Sequence, residues 1–294
     1  MRPSAAKLPA HRVSQRGSST VVGASRGVPG SSKLGAMATA LVTGATAGIG
    51  HAFVRHLAAR GYDVVLVARD TERMAALKSD LENQYGIKAE VLTADLAVAA
   101  DVTRVADRIE DPEHPIDMLV NNAGFGLHAD LLDKSKLALQ RRAFDVMAWA
   151  VLELSAAAGR AMKARGHGNI INVGSTSAWI MSGNYSAIKA WVLTFTEALA
   201  SELYGTGIKV TALCPGWVHT EFHDRAQIKK TNLPEVVWVD IDVLVSEALR
   251  DNDRGKLVSI PTWRWKAAIF VATHGPKGVV RWFSRKLSSS RRKK

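Results

Sequence analysis

The chain has 294 residues, 47% of them apolar, which is enough for one large domain with a sizeable core. Its net charge of +12 sits at the ends: residues 1–36 and 256–294 hold six and eleven of the 39 Lys/Arg and no acid, leaving 22 basic against 27 acidic residues between them. That distribution argues against a basic groove across the fold, and so against a nucleic-acid partner.

A single cysteine, Cys214, excludes an internal disulfide, and no Cys/His spacing matches a structural zinc site, so no metal is expected. His219 and His223 stand four apart but lack a third ligand. A reducing, cytoplasmic compartment is the expectation. No run of 18 apolar residues suggests a membrane span. Residues 1–36, rich in Ser, Gly, Ala and Arg, read as a disordered basic leader or an upstream start-site artefact, with Met37 just before the first strand.

From Ala38 onward short β-branched runs alternate with longer helical ones. The first predicted strand, 39–42, leads into Thr43-Gly44-Ala45-Thr46-Ala47-Gly48-Ile49-Gly50 and then a helix with Phe53, Val54, Leu57 and Ala58 on one face, ended by Gly61. A Gly-rich turn between a strand and a helix suits a pyrophosphate: the backbone can approach closely, and free N–H groups and the positive helix end attract the charge. Gly44, Thr46, Gly48, Ile49 and Gly50 are the candidate contacts.

The second strand, 63–68, ends at Ala68 and Arg69, where an NAD-binding fold usually presents an acid to the ribose. An arginine there suits a 2′-phosphate, so the expected cofactor is NADP(H). Asp70 is the expected cap of the next helix. Strand 88–93 precedes Asp95, whose place before a helix allows an N-cap reading. Strand 118–121 runs into Asn121-Asn122-Ala123-Gly124, strand 170–173 precedes Ser175, and strand 209–213 precedes Cys214, Pro215 and Gly216. A last strand is expected at 257–260. These elements predict an α/β, doubly wound, Rossmann-like single domain over 37–261, with a parallel sheet of about seven strands.

Between these strands lies Tyr185-Ser186-Ala187-Ile188-Lys189. Residues four apart on a helix share a face, so the Lys189 ammonium can favour the Tyr185 phenolate and bring its pKa, ordinarily about 10, toward neutrality. The ordered set of Gly-rich turn, Asn-Asn-Ala-Gly, Ser175, Tyr185/Lys189 and the Pro215-Gly216 pair resembles the short-chain dehydrogenase/reductase family over residues 38–261. The resemblance implies hydride transfer between NADP(H) and a carbonyl or alcohol carbon, with Tyr185 as acid–base, Ser175 orienting the oxygen, and Lys189 tuning Tyr185 and holding the nicotinamide ribose. It further implies that Asp95 meets adenine, that Asn121 with the Ala123 and Gly124 backbone lines the adenosine side, and that Pro215, Gly216, Val218 and Thr220 lie against the nicotinamide. Family members commonly form homo-oligomers.

One position departs from the family pattern: Met147 stands where many members carry an Asn that supports a proton relay, and a thioether has no amide donors. The alternative is therefore a non-catalytic, dinucleotide-sensing protein on the same fold. Trp179, Met181, Trp217 and Phe222 flank the motifs and suit an apolar substrate, although they also read as core. The extension 262–294 mixes Trp263, Trp265, Ile269, Phe270, Val271, Val279, Val280, Trp282 and Phe283 with many Lys/Arg. It reads either as a cover over the cleft or a packing surface, or as a peripheral membrane contact.

Overall fold

The structure, a computed structural model, describes residues 37–127, 129–181, 183–218, 237–275 and 278. The expected leader, Thr220, His219, Phe222, His223, and Val279, Val280, Trp282 and Phe283 of the extension lie outside the described residues.

Runs of Val, Leu and Ile without alternating polar residues can be buried only by cover on both faces, which favours a parallel sheet with crossover helices. The strands are β1 (Thr39–Thr43), β2 (Asp63–Ala68), β3 (Ala89–Thr93), β4 (Met118–Asn121), β5 (Gly168–Val173), β6 (Ile208–Leu213), the two-residue β7 (Trp217–Val218) and β8 (Trp238–Val239), and β9 (Val258–Ser259). Seven form one parallel sheet of order β3-β2-β1-β4-β5-β6-β9, while β7 and β8 pair with each other. The last strand is shorter than the expected 257–260, because Pro261 has no N–H to continue the ladder.

The helices are α1 (Gly48–Ala59), α2 (Thr71–Tyr85), α3 (Ala99–Glu110), α4 (Leu137–Phe144), α5 (Ala150–Arg165), α6 (Gly183–Glu202), α7 (Ile241–Asp253) and α8 (Trp263–His274). Between α4 and α5 the chain stays helical through a π turn at Asp145–Trp149. Strand residues alternate between two cores. Ala40, Val42, Val64 and Leu66 meet α1, α2 and α7 through Phe53, Leu57, Met74, Leu244 and Leu249. Leu41, Val65, Val67 and Leu119 meet α3, α5 and α6 through Val105, Ile109, Leu154, Met162 and Ile188. Each of these side chains larger than alanine stabilises the sheet by roughly 1.5–3 kcal/mol of burial. Asp70 caps α2 as expected, accepting from the Arg73 N–H at 3.0 Å.

The expected boundary at residue 261 does not end the packed body. Trp265 packs on the α1/α7 core and Ile269 is buried. Thr262 holds φ +70°, a strained value for a β-branched residue, while its N–H donates to Glu247 Oε2 at 3.0 Å and Lys266 pairs with the same carboxylate.

A buried polar chain ties the sheet to the helices beside the site. Asn121 Nδ2 donates to Ser155 Oγ and to Asn172 Oδ1, both at 3.0 Å, and Asn172 Nδ2 donates to Thr196 Oγ1 at 3.1 Å. The chain thus joins β4, α5, β5 and α6. Replacing its centre, Asn172→Ala, strands buried partners and should lower stability by about 2–4 kcal/mol in urea unfolding. A loss under about 0.5 kcal/mol, the range of surface substitutions, would contradict this account.

Candidate active site

Sheet order reverses between β1 and β4, which opens a crevice at the carboxyl ends of the strands. Into it project the Gly-rich turn after β1, Asn122–Gly124 after β4, Ser175 after β5 and Pro215-Gly216 after β6. The first two turns are locked together. Thr43 Oγ1 accepts from the N–H of Asn122 at 2.9 Å and of Ala123 at 3.0 Å, and Asn122 Nδ2 donates to Thr43 O at 2.9 Å. Neither Thr43 nor Asn122 was among the candidate residues read from the sequence.

This clamp decides where glycine is needed. A Cβ on Gly44, whose φ is +68°, would lie 2.9 Å from Asn122 Nδ2, and one on Gly50 would lie 2.2 Å from Gly44 O. The start of α1 therefore sits against the turn, and its N-cap, Ala47, gives no side-chain hydrogen bond. A tight backbone cradle with unfilled helix N–H groups fits a dinucleotide pyrophosphate.

At the end of β2, Arg69 is exposed, and its charge reaches Asp95. Arg73, one turn into α2, donates to Thr46 O at 3.1 Å, so its guanidinium lies beside the Gly-rich turn. Asp95 is not the cap of α3, which starts after Val98. Its carboxylate accepts from Arg142 at 2.6 Å and from the Ala97 N–H at 3.1 Å. Burial raises its pKa, but these bonds and the charges of Arg142 and Arg69 outweigh that and hold it below the usual value. The Asn121 side chain faces the core, which leaves its backbone at the strand end.

Tyr185 lies in the first turn of α6 and Lys189 one turn later, with the ammonium 5.9 Å from the Tyr185 ring centroid. Lys189 is buried and donates to Val173 O at 2.8 Å, two residues before Ser175. Ser175 Oγ accepts from the Ser177 N–H at 3.0 Å and caps a 3-10 turn at Thr176–Trp179. Thr176 donates from its N–H and its hydroxyl to Pro215 O at 2.9 and 3.1 Å, joining the Ser175 turn to the Pro-Gly turn. The Gly216 backbone meets the Trp265 indole, since a Cβ there would lie 2.1 Å from the ring. Val218 is buried in β7. Trp179 and Trp217 are half-buried, Met181 is exposed, and the Trp217 ring meets Trp238 edge-on.

Met147 is buried in the π turn, and its sulfur would lie 3.1 Å from a Cβ on Gly124. A thioether thus packs beneath the Asn-Asn-Ala-Gly turn. Burial pushes the Cys214 thiol up to about 12, which leaves it a small apolar residue rather than a nucleophile.

The short chain dehydrogenase family matches residues 38–231, and the chain belongs to it. The short-chain reductase protein NovJ of Streptomyces niveus is 34% identical over 235 residues, covering 79% of this chain and 86% of that protein. A short-chain dehydrogenase from Sphingobium yanoikuyae, solved in complex with NADPH, superposes with a TM-score of 0.74 at 35% identity, covering 81% of this chain and 94% of that one. A bulky-bulky ketone specific alcohol dehydrogenase from Comamonas testosteroni gives a TM-score of 0.70 at 31% identity, covering 83% and 95%.

Two outcomes follow from this geometry. Gly50→Ala should weaken NADPH binding by about tenfold or more in calorimetry while circular dichroism stays native; unchanged affinity would contradict the cradle. Burial also lowers the Lys189 pKa from 10.5 to about 8. Between those values the unfolded chain binds the proton and the folded one does not, so stability rises with pH across that window. The cofactor-free protein should gain a few degrees of Tm relative to Lys189→Met between pH 7 and 10. A pH-independent difference between the two proteins would refute the burial cost.

Proposed function

We propose that this short-chain oxidoreductase works with NADP(H) and interconverts a bulky, apolar ketone and its alcohol. The observation that carries the reading is the Tyr185/Lys189 pair on α6, with its ammonium buried against β5 just before Ser175. NADPH, when bound, supplies a hydride to the carbonyl carbon. Tyr185 gives its phenolic proton to the carbonyl oxygen, Ser175 Oγ donates a hydrogen bond that orients that oxygen, and the Lys189 cation favours the phenolate left behind. Alcohol oxidation runs the same proton back to Tyr185.

Gly44, Thr46, Gly48, Ile49 and Gly50 hold the pyrophosphate, and Arg69 with Arg73 takes the 2′-phosphate. Asp95 and the backbone of Asn121, Ala123 and Gly124 border the adenosine. Lys189 and Tyr185 meet the nicotinamide ribose, and Pro215, Gly216 and Val218 border the nicotinamide. The NADPH bound by the Sphingobium dehydrogenase supports this choice of cofactor, as does the lack of an acid at Ala68. Trp179 and Trp217 beside the cleft, and the ketone specificity named for the Comamonas enzyme, support the substrate class. A second copy of the chain would cover exposed Phe144, which meets the Trp191–Phe195 stack, and this supports a homo-oligomer.

Met147 favours the second reading, a dinucleotide sensor without turnover, because the buried thioether cannot pass a proton. The two readings part on turnover. Tyr185→Phe should cut kcat for NADPH-dependent ketone reduction by about 10²–10⁴-fold with little change in NADPH affinity. Binding without turnover by the native protein across a panel of bulky ketones would establish the sensor instead.

A further inference from the structure

Helix α8 has two apolar sides. The inner one carries Trp265 and Ile269 and reaches the site: the indole lies on Gly216 and donates Nε1–H to Val237 O at 3.1 Å, and the helix packs along the 3-10 turn that follows Ser175. On the outer side stand Trp263, Ala267, Phe270 and Val271, at the i, i+4, i+7, i+8 spacing of one helical stripe. Trp263 is 73% exposed, and Phe270 and Val271 are each 63% exposed. Burial of the inner side explains Trp265 and Ile269, but it leaves three large apolar side chains in water on a helix already anchored through Glu247.

We propose that the outer side of α8 docks on an anionic lipid surface. The charge carried by this end of the sequence selects this occupant. Residues 262–294 carry ten Lys/Arg and no acid, and Arg264 lies 6.0 Å from the Trp263 ring. Two copies meeting through this helix would bring like charges together, whereas phosphate-bearing headgroups neutralise them. At 12 residues, about 18 Å long, the helix is too short to cross a bilayer and suits a position in the interface plane. The inner side ends at the cleft, so a lipid-dissolved ketone leaving the bilayer meets the protein beside Ser175 and Gly216. That last step rests on the apolar-substrate reading above; the docking itself does not.

Cosedimentation of the full chain with vesicles tests the docking. Binding to phosphatidylcholine mixed with phosphatidylglycerol should exceed binding to phosphatidylcholine alone by about tenfold or more and weaken with added salt. The double variant Trp263→Ser, Phe270→Ser should lose about tenfold of that binding while reducing a water-soluble ketone at the native rate. Failure to sediment overturns the proposal. So does unchanged binding of the double variant, which would assign the contact to the basic tail alone. Loss of an oligomer in that variant by analytical ultracentrifugation would make the face a contact between copies and also overturn it. The soluble-ketone assay is read without vesicles, so loss of turnover in the native protein counts against the enzymatic reading and leaves the docking result intact.

Discussion

The architecture depends on one close approach, between the turn leaving β1 and the turn leaving β4. Thr43 offers a single hydroxyl oxygen to two N–H groups of the neighbouring turn, and Asn122 returns the bond through its amide. With backbones this near, a side chain on Gly44 or Gly50 has nowhere to go, and the start of α1 is drawn in against the turn. Each of the two strands would bury its aliphatic residues in many sheet arrangements. Only adjacency at the point where the winding reverses gives a crevice walled by backbone donors, and the remaining site elements arrive there because β5 and β6 extend the same sheet.

The second constraint is electrostatic. An ammonium sits among core residues, held by one carbonyl oxygen of β5 and close to the ring it is proposed to tune. Burying that charge opposes folding, so the surrounding sheet must supply the stability that holds it there. The polar chain from Asn121 to Thr196 runs through the same strands and helices, and it fixes the register of α6 on the sheet with directional bonds.

Much of this was legible in the residues. Aliphatic runs marked β1, β2 and β4 to within two residues, because a doubly buried strand leaves no polar alternation to misread. The Gly-rich turn was legible because glycines between a strand and a helix have few other uses. The short β7–β8 pair was not, since two-residue strands carry no periodicity. Thr43 and Asn122 were missed for another reason: their partners lie 79 and 80 positions away, and nothing local distinguishes a clamp from a solvated turn. Arg73 carries no local signal in the sequence, since its place beside Thr46 depends on how α2 folds back on the turn. Asp95 invited an N-cap reading from its place before a helix, but Arg142, 47 residues on, competes for the carboxylate. The C-terminal extension could be described from composition, yet which aromatic faces inward depends on the strained bend at Thr262 that aims the helix.

Cys214 is the chain's one thiol, fully buried at the end of β6 where Lys189 and the Ser175 backbone converge. Its high pKa and enclosure shield it from alkylating reagents in the closed fold. The rate at which such a reagent modifies the protein therefore times the opening of the crevice floor, and provides a native reporter of breathing at the reaction centre without an introduced label.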